Sequence, residues 1–406
     1  MVECILLIFS FCCLLKYSVI GKVVIVLPCL LLYNAIFFYA VFGGSSWDVI
    51  KSSYLFAPFA LSLIINSQII LILFFRHKGF HWVFVSLVVP PIFFCFFDFN
   101  FIIPSHPLMM LYQFDVIYKF LPRFRINVIN VVILYVLPFC ILLPIRKCVI
   151  IIMFVFLYFF AGWYFVDSQK LGVKVLIVQT GMFLLDHEKI FELKNEIFKY
   201  KNADIVIFSE SPVIGFKEGT RTAFTHDLID EIKSMRDDKL YILNNYGFID
   251  SVKYNYNLSL YIMNGRGYFK AKTKLVPFWE TPGIFYKSSG WDSLYFSVPA
   301  EGHNEKYKFK NISINTYICY EAMFVNHTSD ISDLTVIQSN YDSFQKGYDR
   351  VVKNGNIMAY VNKSSGFKSF ISVQNMGGTI FVDNTGKFHW DIYEKSKSHA
   401  VFLLEI

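Results

Sequence analysis

The sequence predicts an α-helical membrane domain at residues 1–166, followed by an α/β domain at residues 167–406. The first observation is charge. Residues 1–165 carry 10 basic residues (Lys and Arg) and 4 acidic residues (Asp and Glu), whereas residues 166–406 carry 28 basic and 27 acidic residues. The second is apolar segments of about 20 residues, the length that a helix needs to cross a bilayer. The third is alternation of short apolar strands with amphipathic helices after residue 172, which is typical of layered α/β domains.

The overall composition excludes two broad classes of protein. Hydrophobic residues make up 55% of the chain and charged residues only 17%. Disorder requires low hydrophobicity and high net charge, so it is excluded. An ordinary soluble protein has about 25% charged residues, so the whole chain does not fit that class either.

Six apolar segments account for the predicted membrane domain. They are Val2–Leu15, Val23–Phe42, Tyr54–Phe75, Phe80–Phe97, Ile126–Ile145 and Val149–Phe165. Basic residues occur in the short loops after the first, third and fifth segments, and such loops favour the cytoplasmic side of a membrane. With six spans, the α/β domain would emerge on the non-cytoplasmic side.

The predicted elements of the α/β domain follow in a regular order. Strands are expected at Val173–Val178, Asp204–Phe208, Leu240–Asn244, Asn257–Met263, Arg266–Lys270, Ile312–Ile318, Leu334–Ile337, Ser369–Val373, Thr379–Val382 and Ala400–Leu404, and helices at His187–Tyr200, Thr225–Met235 and Tyr348–Tyr360. Asn264-Gly265 predicts a tight hairpin turn. Internal repeats, phosphate-binding loops, dinucleotide fingerprints and metal-ligand spacings are not visible, so we expect no cofactor, no metal and no nucleic-acid partner.

A reactive side chain follows an apolar strand at three places, which are Glu210, Lys272 and Cys319. Ligands of open α/β sheets usually bind beyond the carboxyl ends of the strands. A carboxylate can take the proton of a thiol as the sulfur attacks a carbonyl, and an ammonium can stabilise the resulting oxyanion. Each residue alone also has an ordinary explanation. A single Cys at a strand end, for example, is usually a small buried hydrophobe.

The sequence around these residues resembles the nitrilase, or carbon–nitrogen hydrolase, superfamily. The motifs are Phe208-Ser-Glu210-Ser-Pro, Lys272-Thr-Lys-Leu-Val-Pro-Phe-Trp-Glu280 and Ile318-Cys319-Tyr320-Glu321. The second and third are most similar to the membrane-bound branch represented by apolipoprotein N-acyltransferases. The resemblance implies an αββα sandwich in which Glu210 is the general base, Lys272 the oxyanion stabiliser and Cys319 the nucleophile. It also implies supporting roles for Glu280, Tyr320, Glu321 and Asn340.

The resemblance implies an activity and a location. In such acyltransferases the thiolate takes a fatty acyl chain from a phospholipid as a thioester and passes it to the amino terminus of a lipoprotein. The expected partners are therefore a phospholipid acyl donor, a lipoprotein or peptide amine acceptor, and the membrane. The expected location is the bacterial cytoplasmic membrane, with the catalytic domain on the extracytoplasmic side.

Two alternatives stay open at this point. The layout also resembles nitrilase-like membrane proteins of conjugal transfer systems, and the same triad would serve an amide hydrolase in envelope or conjugative pilus maturation. The second alternative is an inactive assembly module. Ser209 and Ser211 stand where the family commonly has Pro and Thr, and the Trp-Phe that usually follows the Ser339-Asn340 stretch is missing.

Overall fold

The computed structural model describes residues 145–161, 170–182, 189–210, 223–248, 255–275, 306–324, 332–341, 348–363 and 368–406. The helices in these ranges are α1 (Ile145–Ala161), α2 (Lys189–Lys199), α3 (Ala223–Met235), α4 (Tyr348–Lys363) and α5 (Trp390–Ser396). The strands are β1 (Lys174–Val178), β2 (Ile205–Phe208), β3 (Leu240–Phe248), β4 (Asn255–Met263), β5 (Arg266–Ala271), β6 (Tyr307–Phe309), β7 (Ile312–Ile318), β8 (Leu334–Ser339), β9 (Ser369–Gln374), β10 (Ile380–Val382) and β11 (Val401–Glu405). Short 3-10 helices cover Thr180–Met182 and Cys319–Met323.

The chain divides into two compact units. One comprises Met1–Val166 and Ser343–Ile357, and the other comprises Asp167–Asp342 and Met358–Ile406. Apart from Ile145, the first five predicted membrane segments lie outside the described residues, and α1 covers the described part of the sixth. Within the described ranges, no helix is both long and apolar enough to cross a membrane. The six-span domain, its orientation and the boundary at 166/167 therefore stay predictions.

Every strand and helix predicted for the α/β domain is present, with shifts of a few residues at the ends. The hairpin turn is also present, because Asn264 and Gly265 have φ angles of 50° and 75° and join β4 to β5. Strand β3 runs four residues beyond the predicted end, since its polar Asn244-Asn245 segment stays paired with β4. The sequence did not predict β6, which has three residues, or α5, which has seven.

The strands form two sheets with the orders β11-β1-β2-β3-β4-β5 and β10-β9-β8-β7-β6. In the first, β1, β2 and β3 are parallel, and the flanking strands β11 and β4 are antiparallel to them. In the second, β7, β8 and β9 are parallel, and β6 and β10 flank them in the antiparallel direction. The two sheets therefore repeat one arrangement.

An aspartate marks the same place in both sheets, just before the middle parallel strand. Asp204 accepts a hydrogen bond from the backbone N–H of Lys174 at 2.9 Å, and Asp333 accepts one from the backbone N–H of Ser313 at the same distance. A lysine also pairs with each carboxylate. Lys310 Nζ lies 2.7 Å from Asp204 Oδ1, and Lys368 Nζ lies 2.8 Å from Asp333 Oδ1. The repeat is not visible in the sequence because the partners of each aspartate lie 20 or more residues away along the chain.

Apolar side chains pack between the two sheets and against the helices. The core between the sheets includes Val175, Ile177, Ile205 and Ile207 from the first and Ile314, Leu334, Val336 and Ile371 from the second. The opposite face of the first sheet packs against Leu193 and Ile197 of α2 and Leu228 and Ile232 of α3. Near the end of α4, Tyr360 meets Phe370 of β9 edge-on at 5.4 Å. This layering places the carboxyl ends of the parallel strands of both sheets where the candidate site forms.

Candidate active site

Glu210 lies two residues after the end of β2 and is 7% exposed. The preceding residue, Ser209, continues the sheet through a backbone hydrogen bond to Val178 at 2.9 Å. The side-chain amide of Asn257 on β4 donates to Glu210 Oε1 at 3.2 Å, and Asn244 on β3 donates to Asn257 Oδ1 at 2.7 Å. A chain of buried amides therefore fixes the position of the carboxylate.

Lys272 follows β5, and its side chain is completely buried. Its Nζ lies 3.8 Å from Glu210 Oε1, and its backbone N–H donates to the carbonyl of Asn257 at 2.8 Å. Asn257 therefore holds both members of the ion pair, one through its side chain and the other through its backbone. The sequence reasoning missed this residue. Its only signal was an amide at the start of the predicted strand.

Cys319 begins the 3-10 helix after β7 and is also buried. Its φ angle is 47°, in the left-handed region that residues with a Cβ rarely adopt. Backbone strain of this kind often marks functional sites. The thiol donates to the carbonyl of Asn340 at 3.9 Å, and the charges of Glu210 and Lys272 both act on it. The structure thus brings Glu210, Lys272 and Cys319 together from three separate strands.

The environment of Cys319 keeps its thiol protonated near neutral pH. Burial raises the pKa of Cys319 well above its usual range, because it disfavours the thiolate. The Glu210 carboxylate raises this pKa further, whereas the Lys272 ammonium lowers it. Since the free thiolate is disfavoured, the proton must leave as the sulfur attacks, and Glu210 is the carboxylate whose charge acts on the thiol.

Glu321 joins the turn that carries Cys319 to the segment that carries Lys272. Its Oε2 accepts from the backbone N–H of Ile318 at 3.1 Å, and its Oε1 accepts from Thr273 N and Oγ1 at 3.0 Å and 2.5 Å. Burial by itself would raise the pKa of Glu321, but the Lys270 and Lys363 ammonium groups and the Thr273 hydrogen bonds lower it. An ionised carboxylate therefore links the two segments.

The other predicted supporting residues have different surroundings. The ring of Tyr320 meets that of Phe324 edge-on at 5.1 Å, and burial raises the pKa of Tyr320 to about 12 against the opposing effect of Lys272. The side chain of Asn340 accepts a hydrogen bond from Asn375 at 3.4 Å. Glu280 lies outside the described residues, so its role stays a prediction.

A buried hydrogen-bond network that the sequence reasoning missed connects both sheets beside the triad. Asn375 Oδ1 accepts from the backbone N–H of Gly181 at 2.6 Å and from the hydroxyls of Thr180 and Ser209, each at 3.0 Å. Ser209 precedes Glu210, and Asn375 donates to Asn340, whose carbonyl faces the thiol. The network therefore fixes the strand ends on which the base and the nucleophile lie.

The arrangement provides the groups that acyl transfer through a thiol requires. It places a nucleophile, a base and a buried cation close together, in surroundings from which water is excluded and where fixed charges stabilise an oxyanion strongly. Among the residues that the structure describes, no group of three or more His, Cys, Asp and Glu could hold a metal ion.

The chain is similar to solved carbon–nitrogen hydrolases. One is a carbon–nitrogen hydrolase from Helicobacter pylori, which is 10% identical, with a TM-score of 0.38, 53% of this chain covered and 84% of that chain covered. Another is an amidase from Nesterenkonia sp., which is 12% identical, with a TM-score of 0.37. The match covers 55% of this chain and 87% of the amidase. A third is a carbon–nitrogen hydrolase superfamily protein from Xanthomonas campestris, which is 14% identical, with a TM-score of 0.38. The match covers 57% of this chain and 89% of that protein. No family model and no curated protein matches the sequence.

Proposed function

We propose that this protein is a thiol-dependent acyl-transfer enzyme that forms an acyl thioester at Cys319. The observation that carries the proposal is the buried Glu210–Lys272 ion pair, whose two charges both act on the buried Cys319 thiol. Burying two charges costs free energy that a structural role alone does not repay, and strongly perturbed groups of this kind concentrate at functional sites.

The first half-reaction acylates the thiol. Glu210 takes the thiol proton while the sulfur attacks the carbonyl carbon of the donor, which forms a C–S bond and an oxyanion. The Lys272 ammonium stabilises that negative charge. The intermediate collapses by breaking the bond to the leaving oxygen or nitrogen, and the protonated Glu210 returns the proton to that atom.

The second half-reaction passes the acyl group to an acceptor. Glu210 takes a proton from the acceptor amine as its nitrogen attacks the thioester carbonyl, and Lys272 again stabilises the oxyanion. Breaking of the C–S bond then regenerates the Cys319 thiol after proton return. The products are an amide and the free enzyme, so the atoms balance without a cofactor.

We further propose a phospholipid as the acyl donor and the amino terminus of a lipoprotein as the acceptor, at the extracytoplasmic face of a bacterial cytoplasmic membrane. Two features of the sequence support this choice. The Leu275-Val-Pro-Phe-Trp-Glu280 and Cys319-Tyr320-Glu321 motifs resemble the membrane-bound acyltransferases, and residues 1–165 are predominantly apolar.

The experiment is acylation of the full-length protein with a phospholipid that carries a labelled acyl chain. We expect a hydroxylamine-sensitive label on the peptide that contains Cys319, and none in a Cys319→Ala variant. A Cys148→Ala variant is the matched control, because it removes a cysteine outside the site and should retain the label. Label that persists in Cys319→Ala would contradict the proposal.

The acceptor is tested by complementation of a bacterial strain that lacks its lipoprotein acyltransferase. Rescue by the wild type and not by Cys319→Ala would support transfer to a lipoprotein amine. A thioester that forms from an amide donor instead of the phospholipid, and is released only to water, would indicate an amide hydrolase. The absence of rescue and of a thioester with either donor would indicate an inactive assembly module.

A further inference from the structure

The layer between the two sheets changes from apolar to polar towards the strand ends at which the triad lies. On β8, Leu334 and Val336 belong to the apolar core between the sheets, and the next residue on the same face is Gln338. The same change occurs on β1, β2, β4, β7 and β9. The six polar residues, each at most 1% exposed, are Gln179, Ser209, Ser259, Thr316, Gln338 and Asn375. Burying such groups costs free energy unless they are hydrogen-bonded, so their contacts require an explanation.

Gln338 makes two hydrogen bonds that cross from one sheet to the other, and it is completely buried. Its Nε2 donates to the carbonyl of Phe208 on β2 at 2.8 Å. Its Oε1 accepts from the hydroxyl of Ser259 on β4 at 2.6 Å. The pairing of β2 with β3 ends at Ile207, so the Phe208 carbonyl lies beyond that ladder. One amide on the second sheet therefore holds two strands of the first.

On the first sheet, both partners of Gln338 lie two residues from a group that belongs to the site. Phe208 precedes Glu210 by two residues. Ser259 follows Asn257 by two residues, so their side chains share one face of β4. Asn257 in turn donates to Glu210 at 3.2 Å. Gln338 therefore contacts the strand end that leads to the base and the strand that orients the base.

On the second sheet, Gln338 stands beside the nucleophile. It is the register partner of Ile318, the residue before Cys319. It also lies two residues before Asn340, whose carbonyl accepts from the thiol at 3.9 Å. The triad is divided in the same way, because its base and cation follow strands of the first sheet and its nucleophile follows a strand of the second. The spacing of the sheets at this level therefore sets the distance between nucleophile and base.

We propose that Gln338 is a positioning residue that fixes the end of β2, and with it Glu210, relative to the strand that carries Cys319. The structural link stands on the two hydrogen bonds, whereas the catalytic consequence rests on the proposed function. An apolar residue would fill the same place without the cost of burying an amide. The amide instead joins the two sheets beside the site, where a misplacement of the reacting groups slows the chemical step.

The test measures hydrogen exchange of two backbone amides in the full-length protein. The amide of Ser209 belongs to the same peptide group as the Phe208 carbonyl, and it donates to a carbonyl of β1 at 2.9 Å. Gln338→Met keeps the length of the side chain and removes both polar atoms. We expect the Ser209 amide to exchange about tenfold faster in this variant. The amide of Asp204, at the other end of β2, also donates to β1, at 2.8 Å, and should keep its exchange rate.

Two further variants separate this link from a general loss of stability. Tyr261→Phe breaks another buried bond between the sheets, which joins the hydroxyls of Tyr261 and Thr316 at 2.6 Å. It should leave the exchange of Ser209 within about twofold of the wild type. Ser259→Ala removes one of the two bonds of Gln338, and we expect about threefold faster exchange of Ser209. In a Gln338→Met background it should add nothing, because the residue through which it acts is absent.

Wild-type exchange of Ser209 in Gln338→Met would overturn the proposal. Equal acceleration at Ser209 and Asp204 would overturn it too, because it would indicate global destabilisation alone. Should Gln338→Met fail to fold, Ser259→Ala gives the same test from β4.

Thioester formation from the labelled phospholipid adds the catalytic readout. We expect kcat to fall by about 100-fold in Gln338→Met with little change in KM, and to stay within about threefold of the wild type in Tyr261→Phe. Faster exchange with an unchanged kcat would refute the positioning role in catalysis. Exchange needs no acyl donor. A wild type that forms no thioester would therefore refute the proposed function, while the exchange of Ser209 still decides the structural link.

Discussion

Replacing Glu210 by Gln tests whether burial, rather than distance, sets the strength of an ion pair in this protein. The Lys272 Nζ and Glu210 Oε1 atoms are 3.8 Å apart, and both side chains are almost fully buried. At an effective dielectric constant of about 20, that distance corresponds to about 4 kcal/mol of attraction. A Gln oxygen can still accept the hydrogen bond from Asn257, so the substitution removes mainly the charge.

The expected loss is about 3 kcal/mol of unfolding free energy at neutral pH, because the buried ammonium loses its counter-charge. For a domain of this size the loss corresponds to a midpoint lowered by about 6–12 °C. The control is Glu231→Gln, which breaks a shorter pair. Lys194 Nζ and Glu231 Oε2 are 2.7 Å apart, but their side chains are 21% and 40% exposed. We expect less than about 1 kcal/mol there.

The assay is thermal unfolding of the full-length proteins, together with titration of the Cys319 thiol and thioester formation. In Glu210→Gln the pKa of Cys319 should fall, because the carboxylate raises that pKa in the wild type. Thioester formation should nevertheless slow by about 10²–10⁴-fold, since the base is gone. Equal destabilisation by the two Gln variants, or a higher Cys319 pKa in Glu210→Gln, would refute the reasoning.

Three more predictions concern the surroundings of the triad and the sheet repeat. Asn257→Leu should slow thioester formation by about tenfold or more, because it removes the amide that donates to Glu210 and positions its carboxylate. A wild-type rate of thioester formation in this variant would contradict the prediction. Gly181→Ala should cost about 1–3 kcal/mol in thermal unfolding, because a Cβ there overlaps the buried Asn375 amide. Burial alone would raise the pKa of Asp333, but its lysine and backbone partners lower it to about 2. Asp333→Asn should therefore cost about 1–2 kcal/mol above about pH 4, and that cost should vanish as the pH falls towards 2.

Local sequence signals were sufficient wherever the determining contacts are short-range. The segment before Cys319 predicts β7 with both of its ends, because its apolar and β-branched residues are typical of a buried strand even though Ser313, Asn315 and Thr316 interrupt them. Asn264-Gly265 predicts the hairpin, because both residues tolerate a positive φ angle. The extension of β3 past Asn244 was missed, since polar residues stay in a strand there only because β4 pairs with them.

Asn257 and Asn375 were not predicted as parts of the site because their partners are distant along the chain. Asn257 contacts a carboxylate 47 residues away, and Asn375 contacts Ser209 across 166 residues. Nothing near Asn257 or Asn375 in the sequence distinguishes these amides from ordinary polar residues. Lys270 likewise has two lysines close by in the sequence, a pattern that usually indicates an exposed surface rather than a buried cation.

The sequence by itself determined the order of the strands and helices of the α/β domain other than β6 and α5, and the three strand ends at which reactive side chains stand. These follow from apolar periodicity and turn residues, which act over a few positions. Only the tertiary structure decided that Glu210, Lys272 and Cys319 meet, that Glu321 joins two of their segments, and that Lys270 is buried. The physical reason is that burial and charge pairing depend on the packing of two sheets, and this packing brings together residues more than 100 positions apart.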